Sequence, residues 1–234
     1  MAEYKKITGK YVVTSNDRIG PKTFMMCLEG DTTPFTRPGQ FVNVSVPGKF
    51  LKRPISVCDY SDSKLTLLYD VVGSGTTEMS QFIVGTSVDL LIALGNGFDV
   101  DASGTNPLLL GGGIGIAPLY GLAKELVARG VLPTVILGFN RGEDVIMEQE
   151  FRALCPTYIA TVDGSAPSGP DGDINVTKGF VTDVIDRYNL GDASYYYACG
   201  PLPMLKALSL GLDIPGELSM ESRMGCGFGI CVCC

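Results

Sequence analysis

The chain contains no histidine. That excludes Ser-His-Asp triads, histidine metal sites and histidine acid–base catalysis. Charge is also sparse: 18% of residues are Asp, Glu, Lys or Arg, below the usual quarter. Basic runs are missing, and the balance of 18 basic and 25 acidic residues leaves a net charge of −7. A phosphate-backbone footprint is therefore absent, and nucleic-acid binding is not expected. No apolar run approaches the ~18–20 residues of a membrane span, so no membrane association is expected. The opening MAEYKKITGKYVV lacks the apolar core of a signal peptide. A reducing, cytoplasmic setting follows.

What is present is equally uneven. Glycine supplies 30 of 234 residues, against a usual ~7%, and implies tight turns and close approaches of backbone to ligand. Of the eight cysteines, Cys27, Cys58, Cys155 and Cys199 are scattered, and Cys226, Cys231, Cys233 and Cys234 crowd the last nine residues. In a reducing compartment such a cluster points to metal rather than to disulfides. A hydrophobic fraction of 45% over 234 residues supports a sizeable core in one or two domains. With no histidine to do the chemistry, a cofactor is expected to supply it.

Residues 1–102 read as short strands broken by turns. Asn16-Asp17, Gly20-Pro21 and Arg37-Pro38-Gly39-Gln40 punctuate them, and FVNVSVPG alternates Phe41, Asn43, Ser45 with Val42, Val44, Val46. An antiparallel Greek-key β barrel is predicted, with one helix over 76–83. Residues 103–215 change pattern. Strand, glycine loop and helix in NPLLLGGGIGIAPLYGLAKELVARG lead into the strand PTVILGFN, a predicted helix over 143–154, the strand TYIATV, the helix FVTDVIDRYN, the strand SYYYACG and the helix PLPMLKAL. Alternation of this kind predicts a doubly wound parallel sheet of the mixed α/β class. DGSAPSGPDGD reads as a surface loop. Residues 216–234 form a separate cysteine tail, the start of a small domain.

Five motifs carry chemistry. Gly112, Gly113 and Gly115, with Pro118 in the first helical turn, suit a dinucleotide pyrophosphate at a helix N-terminus. The loop departs from G-x-G-x-x-G because Pro118 takes the third position, and a plain strand-to-helix turn fits it too. In Arg53-Pro54-Ile55-Ser56, Arg53 can grip a phosphate and Ser56 can bond a ring nitrogen; a solvated Arg beside an edge proline is the plainer reading. VVGSGTT, with Gly75 and Thr76, is a second loop fit for phosphate or for a simple hairpin. Cys199, Gly200 and Pro201 follow a strand at its ligand-binding end, where Cys199 either packs against a reacting ring or is a small buried side chain. Finally, Cys226, Cys231 and Cys234 follow the C-x4-C-x2-C spacing of plant-type [2Fe–2S] sites. Cys233 falls out of register. The fourth ligand is expected beyond residue 234 or from a scattered cysteine, so the chain is expected to stop short of its natural end.

In this order, RPIS, VVGSGTT, LLLGGGIGIAP, ACGPLPM and the tail resemble the ferredoxin–NADP reductase-like flavoproteins. The tail ESRMGCGFGICVCC narrows the likeness to the electron-transfer subunits of NAD-dependent heteromeric dihydroorotate dehydrogenases. The resemblance implies FAD on the barrel, NAD(H) on the α/β domain and a [2Fe–2S] cluster on Cys226, Cys231 and Cys234. It implies flavin contacts at Arg53, Pro54, Ile55 and Ser56, at Leu68, Tyr69 and Asp70, and at Gly75 and Thr76. Gly112 to Pro118 would face the NAD pyrophosphate and Cys199 to Pro201 the nicotinamide, with Ser56 and Cys199 the catalytic candidates. Ile55 stands where many of the wider superfamily carry a ring-stacking Tyr. The implied partner is an FMN-containing dihydroorotate dehydrogenase catalytic subunit, in a heterotetramer serving pyrimidine biosynthesis. Three other readings carry similar features: the small subunit of an NADH-dependent ferredoxin:NADP oxidoreductase, a reductase component feeding an oxygenase, and a flavin-free regulatory module. Arg141 and Asp144, after the second strand of the α/β domain, leave NAD and NADP both open on the residues alone.

Overall fold

The computed structural model describes residues 8–167, 176–221 and 224–225. The chain divides into two compact units, one running to Gly97 and one spanning Phe98–Met220. In the first, β1 (Thr8–Arg18), β2 (Thr23–Glu29), β3 (Phe41–Val44), β4 (Arg53–Ser61), β5 (Lys64–Asp70) and β6 (Ser87–Leu94) close an antiparallel barrel in the order β1-β2-β5-β4-β3-β6. Alternation decides which side chains enter it. Val42, Val44 and Val46 fill the interior, as do Leu65, Leu67 and Tyr69 from β5 and Ile55 and Val57 from β4. The opposite parity puts an exposed Pro54 and half-buried Ser56 and Asp70 on the outer face, with Leu68 on that parity but buried.

Between β5 and β6 lies α1 (Ser74–Met79). It starts earlier and ends sooner than the predicted 76–83. Its end is set from outside: the Asn16 side-chain amide donates to the Met79 carbonyl at 2.9 Å and the Phe82 carbonyl at 3.1 Å. The helix's final carbonyl, that of Met79, is thereby satisfied without another turn, and the Phe82 carbonyl of the following turn is tied to the same amide.

The second unit holds β7 (Leu108–Gly112), α2 (Ala117–Ala128), β8 (Thr134–Phe139), α3 (Glu148–Arg152), β9 (Thr157–Thr161), β10 (Val176–Lys178), α4 (Val181–Tyr188), β11 (Tyr196–Cys199), α5 (Leu202–Gly211) and β12 (Gly216–Ser219). All six strands are parallel, in the order β10-β9-β8-β7-β11-β12. The chain steps outward from β7 in one direction, then returns to the other side of β7 at β11. Leu108, Leu110, Ile136, Ala160 and Ala198 of the sheet pack with Val181, Val184 and Ile185 of α4 and Leu205 and Leu208 of α5.

Two features differ from expectation. The helix predicted over 143–154 is a single 3-10 turn at Gly142–Asp144 followed by the short α3. Val145 is extended and Met147 left-handed (φ 56°), which places Ile146 and Met147 in the core. Burial of two consecutive apolar residues overrides local helix propensity there. The sheet also gains β10 and β12, the latter from residues grouped with the tail by sequence. Its Gly216, Glu217, Leu218 and Ser219 register against Tyr196, Tyr197, Ala198 and Cys199.

Candidate nucleotide sites and the cysteine tail

On the barrel, the start of β4 meets the start of α1. A Cβ built on Gly75 would fall 2.0 Å from Arg53 Nε and 2.4 Å from its Cζ. The guanidinium therefore lies flat against glycine backbone, a position any larger residue would take from it. Arg53 also donates from Nη1 to the Leu51 carbonyl, which fixes the fork. Beyond Gly73 the space is open. Thr76 closes the loop itself: its hydroxyl accepts from the Val72 N–H at 3.0 Å and the Gly73 N–H at 3.2 Å and donates to the Gly73 carbonyl at 3.1 Å. The side chain of Thr76 is thus engaged, and what it can offer a ligand is its backbone N–H, one of the unpaired donors of the first turn.

The outer-face residues of β4 and β5 adjoin this corner. Asp70 is not an available anion, because Thr23 Oγ1 donates to it at 2.6 Å and Lys22 Nζ pairs with it at 2.8 Å. Two sequence candidates turn the other way. Ile55 and Tyr69 point into the barrel core, so their side chains cannot line a ligand on the outer face. The Tyr69 hydroxyl donates to Asn16 Oδ1 at 2.8 Å, and burial pushes its pKa up to about 12. Asn16 consequently ties Tyr69 to the far end of α1, a role without any local sequence signal.

On the α/β unit the candidate residues converge at the carboxyl ends of β7 and β11, where the strand order reverses. Open α/β sheets bind ligands at this point. The glycines there divide by function. A Cβ on Gly115 would come 2.5 Å from the Cys199 carbonyl oxygen, and one on Gly200 would come 3.0 Å from Gly112 Cα. A Cβ on Gly112 would meet Met204 Sδ at 2.7 Å. These three let the two strand ends approach each other. Gly113 differs: it is left-handed (φ +54°) with nothing within 4 Å of its Cβ position. Gly113 and Ile114 are only half-buried, whereas Gly112, Gly115 and Pro118 are buried. Pro118 sits in the first turn of α2, where its missing N–H costs nothing. The Cys199 side chain is buried at the end of β11, followed by a half-buried Gly200 and an exposed Pro201.

Residues 109–209 match the family model for the oxidoreductase NAD-binding domain. The electron transfer subunit of dihydroorotate dehydrogenase B (NAD(+)) from Geobacillus sp. (strain WCH70) is 48% identical over 205 residues, covering 84% of this chain and 76% of that relative. The same subunit from Fusobacterium nucleatum is 40% identical over 233 residues, covering 95% and 86%. This chain belongs to that family of electron transfer subunits. Among solved structures, an NADH-dependent reduced ferredoxin-NADP oxidoreductase superposes with a TM-score of 0.83 at 28% identity, covering 100% of this chain and 83% of that one. Its fold is shared, but sequence identity is higher to the dihydroorotate dehydrogenase B subunits.

The third candidate site, Cys226, Cys231 and Cys234, lies outside the described residues, as does Cys233. Among the described residues no group of three or more His, Cys, Asp or Glu side chains is placed to hold a metal ion. Cys58 and Cys155 are buried packing residues, with Cys27 half-buried. Burial pushes the Cys155 thiol up to about 11. No helix among the described residues is long and apolar enough to cross a membrane.

Proposed function

We propose that this electron transfer subunit carries FAD on the barrel, NAD(H) at the switch point and a [2Fe–2S] cluster on the tail. Its partner is an FMN-containing catalytic subunit that oxidises dihydroorotate, and the electrons leave on NAD⁺. Identity of 40–48% to dihydroorotate dehydrogenase B subunits over most of the chain carries this reading. The residues present fit each group. Arg53 and the N–H groups of Gly75 and Thr76 meet a pyrophosphate, with the open space beyond Gly73 to receive it. Pro54, Ser56 and Asp70 flank the flavin on the outer face, and Ile55, Leu68 and Tyr69, whose side chains are buried, contribute backbone alone. Ser56 is the side chain fit to bond a flavin ring nitrogen. Gly113 presents open backbone to the NAD pyrophosphate, while Gly112, Gly115 and Pro118 shape the turn behind it. Cys199, Gly200 and Pro201 border the nicotinamide. For the cluster the donor set itself is the fit: three thiolates at plant-type spacing.

Bound flavin supplies exchange between two-electron hydride carriers and one-electron clusters. The chain's own residues bind, orient and exclude water, and none needs to act as a titrating acid or base. That agrees with a sequence free of histidine. A visible absorption spectrum of the purified subunit tests the cofactor assignment. Flavin bands with a broad cluster shoulder are expected, and addition of NADH should bleach the flavin. A colourless protein contradicts the reading.

A further inference from the structure

The placement of NAD(H) at the switch point makes one further corner of the α/β unit informative. β7 and β8 run side by side with Gly112 opposite Gly138. The chain leaving β8 at Asn140 therefore emerges beside the glycine loop. In doubly wound sheets this is where the adenosine ribose is read: a carboxylate suits a free 2′-hydroxyl, and an arginine suits a 2′-phosphate. Both residue types occur here.

The structure shows how they are combined. Arg141 Nη1 lies 3.2 Å from Glu143 Oε1, and both side chains are exposed to an incoming ligand. Gly142, between them, is clasped to the turn after β9. Its N–H donates to Ser165 Oγ at 2.7 Å, and a Cβ on it would come 2.1 Å from the Ala166 carbonyl oxygen. That turn is itself fixed. Asp163 Oδ1 accepts from Ser165 N at 2.9 Å and Ser165 Oγ at 2.6 Å, and Thr161 Oγ1 donates to the Ser165 carbonyl at 2.8 Å. The Asp163 carboxyl is held below the usual range, first by these Ser165 bonds and further by the nearby Arg141 cation. It therefore stays ionised beside Arg141.

We propose that Glu143 and Asp163 jointly neutralise Arg141, so that this corner rejects a 2′-phosphate and selects dinucleotides with a free 2′-hydroxyl. With the Lys178 side chain packed against Gly164 also counted, two carboxylates balance two cations and leave no excess positive charge for a phosphate monoester to meet. A phosphate monoester brings a charge of about −1.5 to −2. An exposed pair of this kind contributes little to folding, yet the charge balance it sets still acts on a multiply charged ligand. The inference rests on the NAD(H) site proposed above.

The test is oxidation of NADH and of NADPH by the FAD-loaded protein with ferricyanide as acceptor, reported as the ratio of kcat/KM values. Glu143→Gln removes the directly paired one of the two countercharges on Arg141 and should move the ratio toward NADPH by about fivefold or more. Adding Arg141→Gln should remove that gain. A thermal melt of each variant checks that the fold persists, as expected for two exposed side chains. An unmoved ratio in Glu143→Gln, or a gain that survives loss of Arg141, overturns the inference. Failure of the unaltered protein to oxidise either dinucleotide would instead contradict the NAD(H) site itself.

Discussion

Arg53 and Gly75 act as one unit, because the guanidinium occupies the volume that a side chain at 75 would fill. An arginine so placed offers a planar fork to a pyrophosphate, and charge-assisted hydrogen bonds of this kind contribute about 1.5–3 kcal/mol. Arg53→Ala should therefore weaken FAD binding by at least about tenfold, measured by release of flavin fluorescence on dilution. Arg53→Lys keeps the charge, loses the fork and should fall between. Each residue was visible in the sequence as part of a motif, but their juxtaposition was not, since no local rule links the start of β4 to the start of α1. Asn16 was less legible still. Its three partners lie 53 to 66 residues away, and an Asn beside Asp17 reads locally as a turn rather than as the clamp at the end of a distant helix.

At the scale of elements, the glycine loop is a meeting of two strand ends before it is a ligand site. Gly115→Ala must push Cβ into the Cys199 carbonyl, a backbone atom with little room to retreat. A loss of about 1–3 kcal/mol is expected, visible in urea unfolding. Gly113→Ala has no such neighbour. It costs about 1–2 kcal/mol through its left-handed φ and should also raise the KM for NADH, whereas Gly115→Ala should be felt first in stability. Equal loss of stability with no change of KM in either variant would contradict this division. The alternation of strands and helices was legible here because buried parallel strands are apolar runs and the helices carry their own periodicity. The break at Val145–Met147 was not, since it follows from burial against the rest of the unit. β12 was not either: GELS has no apolar alternation, and it becomes a strand by pairing with β11.

At the scale of the molecule, the buried tyrosines Tyr11, Tyr69 and Tyr197 and the buried Cys155 set an alkaline limit, each with its pKa raised. Tyr11 and Tyr69 are raised from 10.0 to about 12 and Cys155 from 9.0 to about 11, burial being the largest cause in each. Each holds its proton more tightly folded than unfolded. Their contribution is complete below the unfolded values and is lost as pH rises through the folded ones. The melting temperature should thus fall between about pH 9 and pH 12, starting with Cys155, and Cys155→Ala should blunt the first part of the fall. A melting temperature that stays level to pH 11 would speak against it. The order of motifs along the chain carried the family in the sequence itself, because several short patterns in one fixed order are far more specific than any one of them.

The relay from catalytic subunit to NAD⁺ is the central claim. Its most direct measurement is dihydroorotate-dependent NAD⁺ reduction by the complex with the FMN subunit, using Cys226→Ser and Cys231→Ser. NADH oxidation by ferricyanide is followed in the same preparations. Loss of the first with persistence of the second is expected. Undiminished dihydroorotate-to-NAD⁺ turnover in either variant would contradict the relay through the tail cysteines.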